Sequence, residues 1–267
     1  MLLVLVLVLA AASVASAQEA LPTALTPQQE QTALRRAEQE GRLIYRHDRA
    51  GWIATDEILK VRGMRKRRLD GWVTQADDAH RITVTFVDAA TRRKPALARY
   101  RVVVSDDGWP LGKAEVLDPP RPLSPFEAGA WRARTLAATA PFAPCSRQYN
   151  TVVLPREDGS WTVYLLPGTT DAAVLKLGGA YRYDTDADGQ RIAAKRSYTH
   201  TCVDLRNDPD SVGLMVTHLL DPTPTEVHVH LSLVAGKPVY VSTLPGGTLW
   251  QIENGSIRRV GTGGAGP

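Results

Sequence analysis

Residues Thr225 to Leu233 read TEVHVHLSL, and the secondary structure given to these nine residues decides how the C-terminal third of the chain is built. Apolar and polar residues alternate. As a strand, the segment sends Thr225, Val227, Val229, Leu231 and Leu233 to one face and Glu226, His228, His230 and Ser232 to the other. Two imidazoles on alternate strand positions stand side by side and can reach one metal ion. With Glu226 on the same face, the candidate metal ligands are His228, His230 and Glu226, and the candidate cofactor is a divalent transition metal. A strand that merely shows its polar side to water explains the same alternation.

Working outward, Val212–Leu220, VGLMVTHLL, reads as a second strand, joined through Asp221-Pro222-Thr223-Pro224 as a hairpin. In that register His218 faces Val227. It falls on the apolar side, away from His228 and His230, as a core histidine with a hydrogen-bonding partner. Further β-like runs are YNTVVLP, SWTVYLLP, LGGAYRYD, RIAAKRSYTH, PVYVSTL and LWQIEN, separated by short polar turns. Asp184, Asp186, Asp188 and Gly189 follow the order that opens a calcium loop, but Lys195 stands where such a loop needs a bidentate glutamate. The segment reads as an acidic hairpin turn.

In the first half, LTPQQEQTALRRAEQEG predicts a helix capped by Thr26, started by Pro27 and stopped by Gly41. RLIYRHD and GWIATDEILKV then read as strands, followed by GWVTQAD, RITVTFVDA and LARYRVVVS. The proline-rich DPPRPLSP, Asp118–Pro125, is a connection rather than a helix or central strand. After it, Ser124 and Pro125 open a helix whose Phe126, Ala130, Ala133 and Ala137 recur at helical spacing, ready to cover a sheet. The expected class is α+β: mainly antiparallel β-sheet, about two helices and one disulfide.

The apolar start MLLVLVLVLAAASVASAQ ends in Ala15-Ser16-Ala17, so residues 1–17 are expected to be a signal peptide cleaved before Gln18, although no Lys or Arg follows Met1. The expected organisation is then one α+β domain over 18–260, with 118–125 as its candidate internal boundary, and a flexible tail over 261–267. No later stretch is apolar for long enough to span a bilayer. The expected location is the periplasm or the external medium, where the two cysteines, Cys145 and Cys202, pair.

With 43% apolar and 22% charged residues the chain has the make-up of a folded protein. Its net charge of +4 owes much to Arg65, Lys66, Arg67 and Arg68, with a smaller cluster at Arg92, Arg93 and Lys94. Export removes nucleic acid as a partner, and no aromatics interleave the basic run for base stacking. An anionic envelope component, lipid headgroup or polysaccharide, is the partner it would suit.

Sequence motifs for a nucleophile elbow, a phosphate loop, a dinucleotide fold or a zinc protease are absent. RHD at Arg46–Asp48 and YTHTCVD at Tyr198–Asp204 hold acid–base residue types, to which sequence alone assigns no geometry. The catalytic residues are unknown on this reading. The expectation is an exported, non-enzymatic binding or envelope-associated protein; the alternative is a metal-binding or metal-dependent hydrolytic protein built on His228 and His230.

Overall fold

The computed structural model describes residues 22–64, 68–88, 95–171 and 173–262. Its spine is helix α1, Pro27–Leu59, about 50 Å long at helical rise. Thr26 and Gln29 form a capping box at its start, with Pro27 in the first turn, as the sequence predicts. Its end is not as predicted. Gly41 does not stop the helix, and RLIYRHD and GWIATDEILKV continue it rather than forming strands. The reason is tertiary. A Cβ on Gly41 would lie 2.5 Å from Val229 Cβ, and one on Gly51 would lie 2.6 Å from Trp72 Nε1. Both glycines let another element approach the helix backbone, and packing offsets their poor helix propensity.

The C-terminal half of α1 covers a four-stranded antiparallel meander of β1 (Leu69–Ala76), β2 (Ile82–Asp88), β3 (Leu97–Val104) and β4 (Glu115–Pro122). Ala50, Ala54 and Ile58 of the helix pack on Val84, Phe86, Tyr100 and Val102 of the sheet. The proline-rich connection is itself β4. It lies at the sheet edge and pairs with β3 alone, where prolines remove no ladder bond from a second neighbour.

Helix α2, Pro125–Thr139, starts as its sequence predicts. Ser124 caps Glu127 N at 3.2 Å and Glu127 Oε2 accepts from Ser124 N at 2.7 Å. Ala130, Ala133 and Ala137 are fully buried in a cluster with Val153, Val163 and Tyr183. That surface belongs to a second antiparallel sheet, ordered β5 (Tyr149–Pro155), β6 (Trp161–Pro167), β8 (Tyr181–Thr185), β9 (Ile192–Ser197). The acidic segment is a hairpin turn between β8 and β9, closed by Asp186 N donating to Arg191 O at 3.0 Å. A short pair, β7 (Val174–Lys176) with β10 (Asp204–Arg206), flanks it. Cys145 and Cys202 form the disulfide.

The last sheet is ordered β11 (Leu214–His218), β12 (Val239–Thr243), β13 (Thr248–Glu253), β14 (Ser256–Thr262). Here the reading of TEVHVHLSL is overturned. Glu226–Ala235 is helix α3, and the strands on either side of it, β11 and β12, pair in parallel. A parallel pair cannot be closed by a tight hairpin and needs a crossover, which α3 provides. The helix is buried almost all round because it lies between the sheet and α1. Val227, Val229 and Leu231 are buried among Ile44, Val239, Val241 and Ile252, while Ser232 donates to Ile252 O at 2.9 Å. Three helices and fourteen strands among the described residues make the protein α+β and mostly sheet. The first two residues of the expected tail, Gly261 and Thr262, end β14; the rest of that tail and the leader lie outside the described residues.

Candidate functional site

The seam between α1 and α3 builds a cleft. Gly41 fits against Val229, and two helical turns further along the same face of α1 comes Asp48, opposite His230. Asp48 is almost fully buried. Its Oδ2 lies 3.1 Å from His230 Nε2 and its Oδ1 accepts from Asn150 Nδ2 at 3.0 Å. A carboxylate can only accept, so His230 donates through Nε2–H. One turn beyond Asp48, Trp52 extends its indole into solvent and is 47% exposed.

These residues line a cavity of about 630 Å³, together with Trp72, Gln148, Lys176 and Asn207 among others. Trp72 and Asn207 of this lining each keep one fully buried polar atom without a hydrogen-bonding partner, Nε1 and Oδ1, and the indole nitrogen is the one packed on Gly51. Lys176 is held by Asp204 at 2.9 Å. The wall formed by Gln148, Gly168, Thr169 and Lys176 is shared with a second depression of about 680 Å³ beside Cys145 and Arg147. Aromatic surface, a few convergent polar groups and a volume of this size are the usual make-up of a ligand site.

No family model, curated protein or solved structure matches this chain. Its chemistry is therefore read from its own residues.

A second polar cluster lies one helical turn before Gly41's partner face, and it is structural. Glu40 and Glu226 are both buried. Tyr164 donates to Glu40 at 2.6 Å, Tyr198 donates to Glu226, and Arg156 reaches Glu40 at 3.1 Å. Arg182 sits between the carboxylates at 3.7 and 3.8 Å. Burial alone would raise the Glu40 pKa, but the hydrogen bonds from Tyr164 and Arg156 and the arginine charges prevail and lower it to about 2. A carboxyl so acidic is a poor proton carrier near neutrality. The cluster instead fastens α1 and α3 to β6 and β8.

The structure separates the predicted metal ligands. On a helix, the two-residue step from His228 to His230 turns the side chains to different sides. His228 is fully buried, accepts from Thr225 N at 3.1 Å on Nδ1, and meets the His218 ring edge-on at 4.6 Å between centroids. Burial pushes its pKa well below the ordinary histidine value, with the nearby His218 acting in the same direction. His230 faces Asp48 instead, and Glu226 faces the tyrosines. Among the described residues no group of three or more His, Cys, Asp or Glu could hold a metal ion. His218 is a core histidine whose Nε2 lies 2.8 Å from Asp221 Oδ2, as expected, but it touches His228 rather than pointing away from it.

The RHD triplet, which carried no assigned role, divides three ways around α1. Arg46 reaches Asp106 at 2.6 Å, His47 lies 2.7 Å from Thr74 Oγ1, and Asp48 enters the cleft. Of the basic run, Arg65, Lys66 and Arg67 lie outside the described residues, as do Arg92, Arg93 and Lys94, and Arg68 is exposed.

Proposed function

We propose that this chain is an exported binding protein, without a catalytic role, that holds a small or chain-like ligand in the cleft between α1, α3 and the ends of β6 and β7. The observation that carries this reading is the cleft itself. It joins a solvent-facing indole to a buried Asp48–Asn150–His230 cluster in a cavity of ligand size. Among the described residues no hydroxyl or thiol nucleophile is hydrogen-bonded to His230, which favours holding a ligand over acyl transfer. Export is supported by the small-x-small stretch before Gln18 and by the disulfide, since such bonds persist in oxidising compartments. An envelope partner for the basic run around Arg68 is a separate proposal resting on charge alone.

The test is a thermal-shift screen of the purified chain against sugars, amino acids, peptides and nucleotides. A ligand of the cleft raises the melting temperature of the wild type and not that of Trp52→Ala or Asp48→Asn. If every stabilising compound acts equally on the wild type and both variants, the cleft is not the binding site.

A further inference from the structure

We infer that the ligand of this cleft is an uncharged saccharide chain; the inference rests on the binding reading above and narrows it to one chemical class. Three features of the cleft converge on that chemistry. First, Trp52 and Asp48 are four residues apart on α1, so indole and carboxylate stand next to each other on one helix face. A pyranose laid with its C–H face on the Trp52 ring carries its equatorial hydroxyls outward at its rim. Asp48 is positioned to meet them there, with Asn150 and His230 beside it. Planar carboxylate and amide groups can each bind two neighbouring hydroxyls.

Second, the charges exclude the main competitors. Asp48 and Asp56 line the Trp52 compartment, and its lysine, Lys176, is already paired with Asp204. A phosphate or carboxylate seated at Trp52 would meet these acids, Arg147 standing only in the neighbouring depression. A purely apolar ligand would take water from the exposed Asp56 and Gln148 in the lining without replacing it, at a cost of about 1–3 kcal/mol for each group left unpaired. A neutral molecule with one apolar face and a hydroxylated rim meets neither penalty.

Third, the shape favours a chain over a single ring. The compartment at Trp52 and the depression at Arg147 share the wall of Gln148, Gly168, Thr169 and Lys176, so consecutive units laid across that wall would occupy both. Affinity should then rise with the number of linked sugars until both compartments are filled.

The probes are cello-, chito- and malto-oligosaccharides of two and six units, titrated into the full mature chain by calorimetry, with a tetra-alanine peptide and inorganic phosphate alongside. At least one hexasaccharide series binds, at least about tenfold more tightly than its disaccharide, and Trp52→Ala weakens it by at least about tenfold. Trp109→Ala removes a still more solvent-exposed indole outside the cleft and leaves the affinity unchanged. Binding of the peptide or of phosphate in a Trp52-dependent way, with no saccharide bound, overturns the saccharide class and leaves the cleft reading intact. Saccharide binding that is insensitive to Trp52→Ala overturns both, whereas the absence of binding by every probe overturns the saccharide class alone, the cleft reading then standing or falling with the wider thermal-shift screen.

Discussion

Replacing Gly41 by alanine ought to stabilise a helix, and here it should do the opposite. An alanine in a helix interior is favoured over glycine by about 1 kcal/mol on propensity. In this seam, however, the new Cβ would stand 2.5 Å from Val229 Cβ, 2.6 Å from its Cγ1 and 2.8 Å from the Glu226 carbonyl oxygen. Carbon atoms in good contact are about 3.5–4.0 Å apart, so roughly 1 Å of separation is missing. Val229 cannot rotate away, because β-branched side chains are stiff on a helix and because its Cβ and a backbone oxygen are among the colliding atoms. The strain can only be relieved by moving α3 off α1. Overpacking of this kind costs up to about 3 kcal/mol. Against the propensity gain, the net loss is about 2 kcal/mol, equivalent to a fall of about 4–8 °C in melting temperature for a chain of this length. Moving α3 by that amount also stretches the 3.1 Å contact of Asp48 with His230 beyond hydrogen-bonding range. The assay is urea unfolding of Gly41→Ala, Val229→Gly and the double variant. Removing Val229's side chain eliminates two of the three colliding atoms, so the double variant should be more stable than the sum of the single effects predicts. An alanine variant as stable as the wild type, or more stable, would refute the close approach of the two helices.

Acid should destabilise the protein well before its paired carboxylates titrate. Burial, aided by the neighbouring Arg46 charge, lowers the His47 pKa from 6.5 to about 4. The folded protein therefore takes up this proton less readily than the unfolded chain. The resulting stability is complete above pH 6.5 and is lost as pH falls toward 4, an effect of about 3 kcal/mol, with buried His228 acting in the same direction. A urea midpoint that stays constant from pH 7 to pH 4.5 contradicts this. Glu40→Gln should cost about 3–5 kcal/mol at neutral pH, since it leaves Arg156 without its buried counter-charge and removes one of the carboxylates around Arg182; an effect below about 0.5 kcal/mol in urea unfolding would place the cluster among neutral surface changes. In the exported chain, mass spectrometry should find Gln18 at the N-terminus, and iodoacetamide should label no cysteine until a reductant is added. An intact Met1, or labelling before reduction, argues against export or against the bridge respectively.

What the sequence made legible were the elements whose signals are local. Ser124, Pro125 and Glu127 start α2 through hydrogen bonds within four residues, and Asp186 closes its turn on Gln190 and Arg191. The three meander strands from Leu69 to Val104 bury alternate or continuous β-branched residues. The disulfide followed from parity and compartment. Two failures have one physical origin. Gly41 reads as a helix stop only if no element needs its bare backbone, and that need arises from Val229, far away in sequence. TEVHVHLSL alternates because nearly all of its side chains are buried. A helix enclosed on all sides loses the polar face that would reveal its period. Its ends were readable, however. Thr225 stands at the cap, and Gly236 closes the helix with a left-handed φ of 63°. The cleft was not readable, because Asp48, Asn150 and His230 come from three separate elements.

The crossover from β11 to β12 explains why stability and the cleft depend on the same few residues. A helix that joins two parallel strands must lie across their sheet, so α3 has one face fixed by Val239, Val241 and Ile252. Its opposite face is then presented to α1, with Glu226, Val229 and His230 spaced along one seam. Each uses a different interaction. Glu226 joins the arginine and tyrosine network shared with Glu40, Val229 fills the space left by Gly41, and His230 pairs with Asp48. The ion-pair network and the glycine contact hold the helices at one distance and one register. The polar pair inherits that geometry, and with it the cleft obtains a fixed carboxylate beside the Trp52 ring. A substitution at Gly41 or Glu40, neither of which lines the cleft, should therefore weaken ligand binding in proportion to how far it displaces α3.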